Sequence, residues 1–182
     1  RLRNNYRRLL NAFKSHYTKV QVFYSYKTNC IPAVVKVLDE EGCGAEVVSP
    51  YELWLAYRLG VESSKIIYNG VNKSVEDLKT AIQKKTALIN VDSESEIFRL
   101  QKAAEELKST VNFGIRIYPE VGWRAQFGIQ PEGDGILNLC RQLHETSLLK
   151  LCCIHIHIFI GISSTRDYEK AIERVFSLLK NL

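Results

Sequence analysis

Along the chain, short apolar runs of strand length alternate with longer stretches whose apolar residues recur every three or four positions. The first of these stretches predicts a helix from Leu2 to about His16, with Tyr6, Leu9, Leu10, Phe13 and Tyr17 at helical spacing. Val20 and then Val22 to Tyr26 read as a buried strand of β-branched and aromatic residues that runs out at Lys27. A helix from Pro32 to about Glu41 follows and is broken by Gly42-Cys43-Gly44. Ala45–Ser49 is a second strand, and Pro50 opens a helix over Tyr51–Leu59 that Gly60 stops. Lys65–Tyr68 is a third strand; Ser74, with Asp77 three residues on, caps a helix to about Lys84. Ala87–Val91 is a fourth strand, a helix runs from Asp92-Ser93-Glu94 to about Lys108, and Val111–Tyr118 is a fifth strand. Pro119–Gly135 has no period and is read as a long loop. A helix at Ile136–Thr146, a sixth strand at Lys150–Ile160 and a helix at Asp167–Leu179 complete the pattern.

Successive early strands begin about 21 to 25 residues apart, the spacing of repeated strand–helix units rather than hairpins. Apolar strands alternating with amphipathic helices predict a parallel sheet covered by helices. An open doubly wound sheet and a (β/α)8 barrel both fit. No strand is followed by GxGxxG or GxxxxGK[ST], so the dinucleotide and P-loop fingerprints are missing and the barrel is favoured. Six strands in 182 residues fall short of the eight strands and roughly 250 residues of a closed barrel. Residues 1–182 are therefore expected to form one incomplete α/β barrel domain.

Composition narrows the partners. With 46% hydrophobic residues and ordinary charge content, the chain suits a single folded core. No apolar run approaches a membrane span, and the basic start is helical rather than signal-like. Five cysteines (Cys30, Cys43, Cys140, Cys152 and Cys153) form neither a CxxC pair nor a zinc pattern, and read as reduced core thiols of a cytoplasmic protein. The net charge of +5 is densest at Arg1, Arg3, Arg7, Arg8 and Lys14. A solvated helix face explains that patch better than a nucleic-acid surface, so neither nucleic acid nor membrane is expected as a partner.

In a sheet of this kind the polar residues at strand ends share one site. They are Lys27, Asn29, Glu46, Ser49, Asn69, Asn72, Asp92, Arg116, His155, His157 and Ser163. One lysine and one arginine among hydrogen-bonding side chains suit an anionic cofactor or substrate. The plainer reading is that strand ends meet water and are polar for that reason.

The stretch FYSYKTNCIPAVVKVLDEEGCGAEVVSPYEL resembles the opening signature of the pyridoxal-phosphate-dependent amino-acid decarboxylases with an alanine-racemase-like barrel, the diaminopimelate and ornithine decarboxylase family. The likeness continues in KIIYNGVNKS, ALINVDSESEI, GIRIYPEVG and FGI at Phe127–Ile129, nearly the length of the chain. It implies that Lys27 forms the Schiff base with pyridoxal 5'-phosphate. Independently of the resemblance, a Schiff base needs a neutral amine, which desolvation or a nearby cation favours, and Tyr24, Tyr26 and Arg116 are the candidates to supply such surroundings. Glu46 stands where relatives usually carry aspartate. Relatives also carry His-x-His-x-Gly-Ser on the sixth strand, with the second histidine stacked on the cofactor and the serine on phosphate. Aligned on Gly161, Phe159 takes the stacking place and Ile162 the serine's; aligned on the histidines, His157 stacks. Ser163 is the serine on offer for phosphate.

The resemblance further implies conversion of meso-diaminopimelate to L-lysine and CO2 in a homodimer, with ornithine, arginine and carboxynorspermidine-type substrates left open. The family's glycine-rich phosphate loop, its acidic partner for the pyridine nitrogen and its C-terminal β-domain are expected beyond Leu182, so this segment alone is expected to be inactive. Two other readings stand beside the decarboxylase: a non-catalytic, single-domain protein that handles pyridoxal phosphate, and a barrel remnant that binds no cofactor.

Overall fold

The computed structural model describes residues 1–118, 127–130, 148–158 and 164–180. Its strands are β1 (Phe23–Ser25), β2 (Gly44–Val47), β3 (Ile66–Tyr68), β4 (Leu88–Val91), β5 (Val111–Ile117) and β6 (Leu149–Ile156). Its helices are α1 (Leu2–Lys14), α2 (Pro32–Glu40), α3 (Pro50–Arg58), α4 (Val75–Gln83), α5 (Glu94–Leu107) and α6 (Thr165–Leu179). The strands lie in sequential order in one six-stranded sheet. The pairings of β1 with β2, β2 with β3, β3 with β4 and β5 with β6 are parallel. The α/β plan expected from the alternation is thus the plan observed. The chain divides into two compact units, Arg1–Gly70 with Thr80–Ile89 and Val71–Lys79 with Asn90–Leu182.

In the first unit the two faces of the sheet differ. Ala45, Val47, Ile66, Tyr68 and Ile89 alternate onto one face and are buried. Tyr24 joins that side, packing with Leu10, Val22 and Val34 around Tyr6, Leu38 and Cys43. The intervening residues Phe23, Ser25, Glu46, Ile67 and Leu88 are only half-buried. Helix α1 is tied to α2 by ion pairs from Arg3 to Glu40 and Glu41 and from Arg7 to Glu41. Two arginines of the basic helix face are therefore engaged, not simply solvated. The Arg7 and Arg3 guanidinium groups hold the Glu41 carboxyl below its usual range.

The expected buried strand around Lys27 is shorter and shallower than its composition suggests. Thr28 N–H donates to the Ser25 carbonyl at 3.1 Å, and this turn ends β1 at Ser25. β2 stops at Val47 because Ser49 is taken up as the N-cap of α3, accepting from Glu52 N–H at 3.2 Å. Ser74 and Asp77 form the reciprocal cap expected ahead of α4: Asp77 N–H donates to Ser74 Oγ, and Ser74 N–H to Asp77 Oδ2, each at 3.1 Å.

In the second unit β5 is buried at every position except Asn112. Its ladder with β6 slips between Phe113 and Gly114, so that Gly114 pairs with Cys153. A Cβ on Gly114 would run into the Asn90 side-chain oxygen, which is why glycine stands there. Within the stretch read as a loop, Ile129 forms a parallel bridge with Ile117. Ile129 N–H donates to the Arg116 carbonyl at 2.9 Å, and Tyr118 N–H to the Ile129 carbonyl at 3.0 Å. The expected helix Ile136–Thr146 lies outside the described residues. Of the thiols read as core, Cys43 is buried while Cys152 is exposed on β6. Among the described residues no helix is long and apolar enough to cross a membrane.

Candidate active site at the strand ends

The first unit carries Lys27, Glu46 and a residue that sequence reasoning passed over, Glu52. Backbone bonds on both sides fix the Lys27 turn: Tyr26 N–H donates to the Glu46 carbonyl at 2.9 Å, and Thr28 N–H closes on Ser25. The Lys27 side chain is exposed. Among the described residues its ammonium makes no hydrogen bond or ion pair. The aromatic surroundings expected for it go elsewhere: Tyr24 packs on the helix side, and Tyr26 is buried, its hydroxyl pushed up to about 12 chiefly by that burial.

Glu46 is half-buried and stands in register with Ser25. Glu52, in the first turn of α3, is buried and accepts from Val48 N–H at 2.8 Å. Burial pushes its carboxyl above the usual carboxylate range; the Val48 N–H and the positive Lys27 oppose that shift, and the negative Glu46 adds to it. The signal for Glu52 was present as Ser49-x-x-Glu52, a capping-box pattern, but its carboxylate reaches Val48 instead of Ser49 N–H. Ser25 Oγ is buried and lacks a hydrogen-bond partner among the described residues. Asn29, a candidate by position, is used locally, its Oδ1 accepting from Ile31 N–H at 3.0 Å on the way into α2.

The second unit carries Arg116 and the histidines. Arg116 is buried on β5, with its guanidinium 5.4 Å from the centre of the Phe127 ring. The strand register sets it beside His155, one alternation short of His157. His157 lies just past the end of β6 and is half-buried. Phe159 and Ser163 lie outside the described residues. Asn72 is engaged locally, its Oδ1 accepting from Arg99. The residues missed here are Lys73 and Glu96, an ion pair at 3.0 Å with both side chains out of solvent.

An amine at a strand tip with two carboxylates in its own unit, and a buried guanidinium in the other, are groups suited to carbonyl and anion chemistry. The chain matches the family model for the pyridoxal binding domain of pyridoxal-dependent decarboxylases over residues 3–182. It is 32% identical, over 98% of its length, to a diaminopimelate decarboxylase of Methanothermobacter thermautotrophicus, and covers 42% of that protein. Against a diaminopimelate decarboxylase of Aquifex aeolicus the identity is 30% over 94% of the chain, covering 43% of the relative. Among solved structures, the M. jannaschii diaminopimelate decarboxylase in co-complex with L-lysine superposes with a TM-score of 0.88 at 29% identity, over 98% of this chain and 46% of that one. The chain spans under half the length of the curated relatives it matches.

Proposed function

The chain belongs to the pyridoxal-dependent decarboxylase family, as its pyridoxal-binding domain, and on that premise we propose that it serves an amino-acid decarboxylase acting on meso-diaminopimelate, with Lys27 as the Schiff-base lysine. The observation that carries this reading is the Lys27 amine, exposed and, among the described residues, without a hydrogen bond or ion pair, on a turn that backbone bonds hold in place. The residues around it fit pyridoxal phosphate: an amine for the aldehyde and, two residues before it, a buried Ser25 hydroxyl, both without a partner among the described residues. When bound, the cofactor supplies an electron sink for the carbanion left as the α-carboxylate departs as CO2.

The chain's own residues divide the remaining work. Glu46 and Glu52 set a negative field near the Lys27 turn, one half-buried and one held by Val48 N–H. Arg116 offers a buried cation, steadied on Phe127, for an anionic group. His157, at the end of β6, offers a ring for stacking. The same reading makes the substrate a free amino acid and the working form a cytoplasmic homodimer. Relatives named diaminopimelate decarboxylase favour that substrate over other amino acids.

The test is borohydride trapping. The whole gene product is incubated with pyridoxal phosphate, reduced, digested and mapped by mass spectrometry, and CO2 release is measured from meso-diaminopimelate, ornithine and arginine in parallel. Selective labelling of Lys27 with release from meso-diaminopimelate is expected. Label scattered over the lysines overturns the assignment of Lys27, and release from another amino acid alone overturns the substrate.

A further inference from the structure

Ser25 ends β1, and its hydroxyl oxygen is buried with no hydrogen-bond partner among the described residues. Buried polar groups are nearly always paired, because an unpaired one loses its bonds to water and gains nothing in return. Strand alternation sets the direction of this one. The Phe23 ring fills the space that a Cβ on Gly44 would need, so Phe23 leans over the side of β2 on which Gly44 and Glu46 lie. Tyr24 points the opposite way, into the cluster of Tyr6, Leu38 and Cys43. Ser25 returns to the Phe23 side, in register with Glu46 across an inter-strand spacing of about 4.8 Å. Its carbonyl also closes the turn that carries Lys27. An orphaned hydroxyl, a half-buried carboxylate and the lysine turn thus share the carboxyl end of β1 and β2, away from the face on which Tyr24 packs.

Resting on the cofactor reading of Lys27, we propose that Ser25 is a ligand-contacting residue whose hydroxyl hydrogen-bonds the polar ring substituents of pyridoxal phosphate held by Lys27. The missing partner is then the ligand's. A serine kept only for local structure would hydrogen-bond within the chain, and an alanine would fill this buried position at lower cost. The serine is a liability without ligand and an asset with it, so the two states respond to its removal with opposite signs.

That difference of sign is the test. The whole gene product and its Ser25→Ala variant are titrated with pyridoxal phosphate by absorbance, and thermal midpoints are measured with and without it. Ser25→Ala is expected to weaken pyridoxal phosphate binding by about five- to tenfold, the effect of one lost hydrogen bond. It is also expected to leave the ligand-free midpoint unchanged or raised and to shrink the ligand-induced increase. Unchanged affinity in the variant, with borohydride label still on Lys27, overturns this inference and leaves the cofactor reading standing. A fall in the ligand-free midpoint marks the hydroxyl as structural and overturns it too. No label on Lys27 in the unaltered protein overturns both.

Discussion

Two lysines stand in the chain where a strand gives way to a helix, Lys27 after β1 and Lys73 ahead of α4, and their surroundings are opposite. Lys27 is exposed and its ammonium is unbonded among the described residues, on a turn held by backbone bonds. Lys73 is 2% exposed, and its Nζ donates to the Asn90 carbonyl at 2.7 Å and pairs with Glu96 Oε2 at 3.0 Å. Glu96 in turn accepts from Lys73 N–H at 2.7 Å and from Asp92 N–H at 3.0 Å. Burial pushes the Lys73 amine down and the Glu96 carboxyl up, and their mutual attraction opposes both shifts. Leaving that site would strand a buried carboxylate, so Lys73 is fixed. Lys27 gives up nothing by bonding to a ligand. A lysine available for chemistry is marked here by what it does not touch.

The largest expected effect comes from breaking the engaged lysine. Lys73→Met leaves Glu96 charged, buried and unpaired, and should cost about 3–5 kcal/mol, whereas replacing both partners, Lys73→Met with Glu96→Leu, should recover most of that. Lys27→Met should change stability by no more than about 0.5 kcal/mol, as surface substitutions usually do, while abolishing the borohydride label. Urea midpoints for the four proteins check this. Equal costs for the two single lysine variants would remove the contrast altogether.

A smaller effect is expected at the strand that supports Lys73. Gly114→Ala drives a methyl group into the Asn90 side chain, and the Asn90 carbonyl is a Lys73 partner. Overpacking of this kind costs about 1–3 kcal/mol. Because the two sites share Asn90, the double variant Gly114→Ala with Lys73→Met should lose less than the sum of the single losses, by about 0.5 kcal/mol or more. Additive losses would mean that Gly114 and the ion pair act independently. The Lys27 label should be the same in the unaltered protein and in Gly114→Ala.

The alternation of strands and helices was legible because it is local: period, glycine stops and the Ser74–Asp77 cap each lie within a few residues. The burial of the lysines was not. A buried ammonium needs a partner, and the partner of Lys73 lies 23 residues away on α5, so nothing near Lys73 in the sequence marked it as the buried one. That His155 and not Ile154 stands beside Arg116 depends on the slip at Gly114, a register shift with no signature beyond a glycine inside a strand. The orphaned hydroxyl of Ser25 was equally hidden, since serine in a strand is ordinary until its partners are counted. Glu52 was half legible: its spacing from Ser49 announced a cap, while its reach to Val48 follows from where β2 stops.

The smallest expected effect is on the Lys27 side and concerns Glu52. Its carboxyl is raised in the folded chain by burial, so the folded state holds that proton more tightly than the unfolded state, where the ordinary value is about 4.3. The contribution to stability is therefore fully present below that unfolded value and is lost as pH rises through the raised folded value. Glu52→Gln keeps an acceptor for Val48 N–H and removes the titration. Stability measured by urea unfolding should then fall less steeply in the variant as pH rises from about 4. The difference should be modest, because the Val48 N–H and the Lys27 charge both favour the ionised form. Matching slopes in the two proteins would show that Glu52 is not held by burial, and the field at the Lys27 turn would then come from Glu46 without it. A flatter slope in the variant means that a carboxyl with a raised pKa interacts electrostatically with the lysine of the β1 turn.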